Sequence, residues 1–363
     1  MDEFLQMISY KLKSPLTKED IFSETIKIGH LKRIDTVFNK GIHYYLDPKA
    51  PEKSKEASIF FRKDKFGTEL NIGAKKIVNK FEEFKISLSA IATLAEIETE
   101  RKIPTFNTKN NPKEIANQVR TFLHPGYRRN LRDFLKAIIY QVAKHNILVF
   151  EFVETHNKKE KANIDGFYLN PNVIVLKRNQ SFRREIFTLA HELGHYLLDE
   201  EEVEKLDYEI IGRNDLSSIE RWCNDFAYYF LAGKYSNIID KLEVARASND
   251  YHFEIIQNIS NQTHLSQIAL FTRLLYQKKI SQSNYRKIKD DFEEQFRLRK
   301  EKEKLERQLL KDQGIKQRGS VAKPISSPLL ISTVQSAFHE GIISEYEVCK
   351  KLNIKADKLD KYI

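Results

Sequence analysis

Cysteine is nearly absent: Cys223 and Cys349 are the only two in 363 residues. That excludes a disulfide-stapled scaffold and a Cys-rich zinc knuckle, both of which need several closely spaced thiols. Long apolar runs are missing as well, since nothing approaches the roughly eighteen consecutive residues of a membrane-spanning helix. The opening Met1-Asp-Glu-Phe-Leu-Gln6 lacks the basic-then-apolar order of a secretory signal. The expectation is a cytoplasmic protein that does not engage a membrane. Internal repeats are also lacking, and the one compositionally biased segment is a charged stretch after residue 281.

What is present is a globular composition, 41% hydrophobic and 31% charged, with a formal net charge of +10. A polyanionic partner would suit that charge. Lys outnumbers Arg by about two to one, however, and is spread along the whole chain, which describes a solvated surface better than a phosphate groove.

Periodicity and turn residues divide the chain into an expected α+β fold, mainly helical with a small antiparallel sheet. Residues 1–109 read as a helical N-terminal module. It contains a lysine-rich linker at Pro51-Glu-Lys-Ser-Lys-Glu56 and a helix over 70–98, where Leu70, Ala74, Ile77, Val78 and Phe81 recur at helical spacing. Residues 110–281 form the central domain, with helices at 112–123 and 131–144. A dense run of β-formers follows at 147–153, then a lysine-rich loop at 156–162. Residues 167–169 and 173–176 read as a hairpin turning at Asn170-Pro-Asn172. Helices are expected again at 185–198, 216–232 and 265–277. Residues 282–319 read as an exposed charged helix with i,i+4 ion pairs, and 320–363 as a small helical C-terminal module.

The helix at 185–198 carries His191-Glu192-Leu-Gly-His195. Four helical residues turn through about 400° and climb about 6 Å, so the two imidazoles point the same way one turn apart and can share one metal ion. Glu192 projects beside them, placed to take a proton from water that the ion acidifies. On the order of 0.02 chance matches to this pattern are expected from the His and Glu content. The small sheet is expected to pack on this helix.

A third protein ligand is needed. The H-x-x-G-x-x-H extension is absent, because positions 198 and 201 are Leu and Glu. Glu220 opens a helix that can return alongside the first one. Ser217-Ser-Ile-Glu220 also fits a capping box, and spacing alone leaves ligand and cap open. Asp199, Glu200 and Asp207 are further carboxylates, the first two too close along the same helix to swing under a metal easily.

Phe187-Thr-Leu-Ala-His191-Glu192-Leu-Gly-His195, followed by Glu220-x-x-Cys-Asn224-x-Phe226-Ala227, resembles the ImmA/IrrE family of metallo-endopeptidases, a gluzincin-like group. The resemblance covers roughly residues 110–280. It implies Zn2+ held by His191, His195 and Glu220, with Glu192 as general base. It further implies a protein substrate, often a helix-turn-helix transcriptional repressor encoded nearby, cleaved in a stress, mobile-element or defence response. Gly341-Ile-Ile-Ser344 to Ile354 is similar to that family's C-terminal helical segment. Residues 1–57 do not match the N-terminal helix-turn-helix that many members carry, and Phe230-Leu-Ala-Gly233 stands where the family often has Leu-Met-Pro.

Two function classes follow. In the first, a zinc endopeptidase of narrow specificity binds an extended substrate along a sheet edge at Val173, Ile174 and Val175. Arg273 and Tyr228 are then the residues available to hold an oxyanion, although such an Arg is ordinarily a surface residue and such a Tyr ordinarily core. In the second, a regulator with a structural zinc binds DNA or a protein through its basic flanks. Against this class, a purely structural site has no use for Glu192.

Overall fold

The computed structural model describes residues 2–9, 12–23, 25–38, 45–46, 70–154, 161–178, 181–201, 217–313 and 323–363. The linker at 51–56, Asp207 and residues 156–160 of the lysine-rich loop lie outside the described residues.

Three short helices, α1 (Asp2–Ser9), α2 (Lys18–Phe22) and α3 (Ile28–Phe38), close on a cluster of their own around Ile8, Ile21, Leu31, Ile34 and Val37. The long helix α4 (Ile72–Leu94) starts at Asn71, whose side chain accepts from the Ala74 N–H. Next come α5 (Pro112–Leu123) and α6 (Leu131–Ala143). Asn111 and Asn130 cap them, and Pro112 sits where its missing N–H is harmless.

The sheet consists of β1 (Leu148–Val153), β2 (Gly166–Leu169) and β3 (Val173–Arg178) in the order β1-β3-β2. β2 and β3 form the expected hairpin, while β1 runs parallel to β3, so the sheet is mixed rather than antiparallel. Val173, Ile174 and Val175 are therefore not an edge. β3 is the central strand, and its backbone groups are taken by Leu148–Phe150 on one side and Phe167–Leu169 on the other. The sequence shows two β-rich runs around a tight turn but not which run enters between its neighbours.

Both faces of the sheet are covered, and the strand alternation sorts the side chains between two cores. Val149, Tyr168, Ile174 and Leu176 face the main core, together with α7 (Phe182–Leu198) and α8 (Ser218–Ala232). Phe150, Phe167, Leu169, Val173 and Val175 face a second core. That core is shared by α4 and the C-terminal helices α13 (Pro328–His339) and α14 (Glu345–Leu352). Burial on both faces explains why the strands read as continuous apolar runs.

Between α8 and α13 lie α9 (Ser236–Lys241), α10 (Phe253–Thr263), α11 (Gln267–Tyr276) and α12 (Gln282–Asp312). The charged α12 buries only Tyr285 and Ile288, at its start. The rest is exposed and carries pairs such as Arg297 with Glu294 and Glu301.

α7 is held at both ends. Ser181 caps its N-terminus, and Asp199 ends it in the left-handed conformation at φ 57°. The Asp199 carboxylate then accepts from Tyr168 Oη at 3.0 Å, Asn170 Nδ2 at 2.7 Å and Arg101 at 3.2 Å. The end of α7 is thereby pinned to the β2–β3 turn. Leu189, Leu193 and Leu197 are fully buried along it, and truncating such a leucine to alanine typically costs about 2–5 kcal/mol.

Candidate metal centre

α7 and α8 touch closely because Gly194 has no side chain. A Cβ built there would lie 3.1 Å from the Cα, Cβ and Sγ of Cys223 on α8. That approach brings Glu220, in the first turn of α8, under the two imidazoles.

The Nε2 atoms of His191 and His195 lie 3.1 Å apart. Glu220 Oε2 is 3.2 Å from the first and Glu220 Oε1 is 3.2 Å from the second. Ligand atoms of all three residues fall within 4.8 Å of one another. The three are 4%, 1% and 3% exposed in that order. Glu220 is thus placed both to start the helix and to serve as a candidate ligand. Its backbone N–H is capped by Ser217 Oγ at 3.0 Å, while its carboxylate turns to the histidines.

Hydrogen bonding assigns the tautomer of His191. Its Nδ1 donates to Asn224 Oδ1 at 3.2 Å, which leaves a lone pair on Nε2 for a metal. Asn224 follows Glu220 by one helical turn, so one helix supplies a ligand and the group that orients another. Its role had a legible signal, the i,i+4 spacing from Glu220 within the motif, but the sequence assigns it none.

The residues fit a metal ion. Both carboxylate oxygens of Glu220 are buried without a hydrogen-bond partner, an arrangement that is unfavourable unless something cationic sits between them and the imidazoles. Two imidazole nitrogens and one carboxylate form the three-ligand set of open, catalytic sites. Burial alone would raise the Glu220 carboxyl, yet His191 and His195 beside it hold it well below the usual carboxylate range. Burial pushes Glu192 up to about 7, against the lowering influence of His195 and His191. Glu192 Oε2 is buried and has no hydrogen-bond partner.

The start of β2 lies against this group. A Cβ on Gly166 would meet Thr188 Cγ2 at 2.5 Å, Val175 O at 3.0 Å and Glu192 Cγ at 3.4 Å. Gly166 is a second residue the sequence did not single out, and only its place between loop and strand hints at it.

Arg273 and Tyr228 are not brought to the cluster. The Arg273 guanidinium is taken by Asp225 at 2.5 Å and by Tyr229 Oη at 2.6 Å. It also lies over the Tyr228 ring at 4.5 Å. Tyr228 Oη is buried without a partner. Neither side chain is hydrogen-bonded to His191, Glu192, His195 or Glu220, so the Arg is a core cation neutralised within α8 and α11, and the oxyanion role falls away. Asp199 is spent on the α7 cap, and Glu201 accepts from the Asn170 N–H at 2.8 Å.

The fold and cluster define an HExxH metallopeptidase domain of the gluzincin type, with the third ligand on the following helix. Residues 142–233 match the family described as IrrE N-terminal-like domain, Peptidase_M78. That segment contains the whole sheet, both metal helices and every residue of the cluster. That segment is therefore similar to the ImmA/IrrE metallopeptidase domain. No curated protein matches the chain. Among the described residues, no helix is long and apolar enough to cross a membrane.

Proposed function

We propose that the protein is a zinc-dependent endopeptidase of narrow specificity whose substrate is a DNA-binding repressor of a stress, mobile-element or defence response. The observation that carries the reading is the convergence of His191, His195 and Glu220 beside Glu192, whose free carboxylate oxygen a purely structural site would not need. Zn2+ in this His2Glu set supplies Lewis acidity, lowering the pKa of water and polarising a peptide carbonyl. Glu192 takes the proton from the attacking water and hands it to the leaving amine. Its raised proton affinity suits it to both halves of that transfer near neutral pH. Asn224 keeps the His191 ring in the tautomer and orientation that present Nε2.

The sheet edge nearest the chemistry is β2, not β3. A Cβ on Gly166 would lie 3.4 Å from Glu192 Cγ, and β2 pairs only with β3 among the described residues. An extended substrate added to the outer side of β2 would run past Glu192, with its main chain bound and its side chains read by the surrounding walls.

A second reading, a non-proteolytic regulator that binds DNA, draws on one observation. A groove of about 740 Å³ between α6 and residues 323–328 is lined by Arg128, Arg132, Lys136 and Lys323, against the single acid Asp133. Strong, salt-dependent DNA binding without metal-dependent cleavage would favour it.

The deciding experiment uses zinc-loaded Glu192→Gln as bait in an extract of the protein's own host. A peptidase predicts that a captured DNA-binding protein is cut when wild-type enzyme is added. A captured partner that wild type leaves whole would contradict it.

A further inference from the structure

The far end of α8 borders a chamber of about 350 Å³ that lies outside the metal centre. It falls within the size range of small-molecule sites. Two cations line it, Arg120 and Lys234, and no Asp or Glu does. Among the described residues, Arg120 has no carboxylate partner. It donates to the backbone carbonyls of Phe230 and Leu231 in the last turn of α8, and burial draws its pKa down to about 10. Aromatic walls come from Tyr127, Phe134 and Tyr235.

Two histidines complete the lining. His124 Nδ1 accepts from the Gly126 N–H at 3.1 Å, so the neutral ring carries its proton on Nε2. His264, only 2% exposed, is hydrogen-bonded to the backbone of Arg128 through one ring nitrogen. The other, Nε2, is buried with no partner. Burial lowers the pKa of both rings. The His264 ring is stacked on Tyr127 with centroids 5.2 Å apart.

We propose that this chamber binds a small anion built on a flat ring: a phosphate monoester or carboxylate held by Arg120 and Lys234, whose ring packs on the aromatic walls. A ligand drawing on Arg120 also bears on the carbonyl end of α8, the helix whose first turn carries Glu220. Some ten residues separate the two ends, about 15 Å. A coupling between ligand and metal rests on the metallopeptidase reading, whereas ligand binding itself does not.

Calorimetry on the metal-free and zinc-loaded full-length protein, with fluorescence of the single Trp222 on α8 as a second signal, tests both points. The probes are the four ribonucleoside 5′-monophosphates and 4-hydroxybenzoate, with inorganic phosphate and the uncharged nucleosides as controls. The expected result is saturable binding of at least one ring-bearing anion below about 1 mM, at least about tenfold tighter than the controls. Lys234→Glu and Tyr127→Ala, both at exposed positions on the rim, should weaken it about tenfold or more with an unchanged circular dichroism spectrum. Failure of every ring-bearing anion to bind in this range overturns the proposal, as does equal affinity for inorganic phosphate or indifference to both substitutions. Binding to metal-free protein with zinc affinity unchanged would keep the site and overturn the coupling.

Discussion

Asn224 Oδ1 accepts from His191 Nδ1 at 3.2 Å, one helical turn beyond the candidate ligand Glu220 on the same helix. Orientation of a ligand by an outer partner is commonly worth 10–100-fold in metal affinity. Asn224→Ala is therefore expected to weaken zinc binding by about that factor in a competition titration, with little change in thermal stability of the metal-free protein. Unchanged affinity would show that the packing of α7 and α8 alone fixes the imidazole.

Glu220→Gln separates ligand from helix cap. Ser217 caps α8 through the backbone N–H of residue 220, which the substitution leaves in place. Zinc affinity should fall further than in Asn224→Ala, while the metal-free melting temperature stays within a few degrees of wild type. A large drop in stability with metal retained would assign the carboxylate to the helix end instead.

Gly194→Ala puts a methyl 3.1 Å from three atoms of Cys223. The neighbours include backbone, so α7 and α8 must separate. Overpacking of this kind typically costs about 1–3 kcal/mol. Denaturant unfolding should show that loss, together with weaker zinc binding, because the same contact sets the distance from Glu220 to the histidines.

A buried acid pair beneath the metal helix gives the protein a pH dependence of its own. Glu185 on α7 bonds Arg178 at 2.8 Å and faces Glu151 on β1, whose carboxylate accepts from the Ile325 N–H at 2.5 Å. Burial, then the neighbouring Glu151, push Glu185 up to about 9. A carboxyl whose folded pKa is raised favours folding in its protonated form. Its contribution is complete below the ordinary carboxylate range and is lost as pH rises from there toward 9. Glu185→Gln keeps a neutral side chain at that place, so its stability should fall less steeply between about pH 5 and 9 and exceed wild type at the alkaline end. Parallel stability curves for the two proteins would contradict a raised pKa at Glu185.

The metal site was legible in the sequence because its chemistry is local. His191, Glu192 and His195 occupy one helix at fixed spacing, and Glu220 and Asn224 repeat the device on the next. Helix ends marked by Asn111-Pro112 and Ser181 were equally plain. The placement of β3 was not, since strand order depends on pairing between segments that adjacent residues do not encode, and both orders satisfy the same apolar pattern. Arg273 was misjudged for a related reason: a buried guanidinium reads like a surface one until its partners, Asp225 and Tyr229, are seen to come from another helix. Helices α9 and α10 went unmarked, being short or bounded by residues in left-handed conformations such as His252 and His264. Gly166 shows the limit most clearly, because a glycine required by the close approach of Thr188 and the Val175 carbonyl across the fold looks like any loop glycine in the chain.

The most direct test of peptidase chemistry at this centre is to sequence new N-termini in a host extract treated with zinc-loaded wild type or zinc-loaded Glu192→Gln. Wild type should generate a small set of cuts concentrated in one DNA-binding protein, and Glu192→Gln should generate none while still holding about one zinc per chain. Cleavage that persists undiminished in Glu192→Gln would contradict the assignment of the proton transfer to that carboxylate.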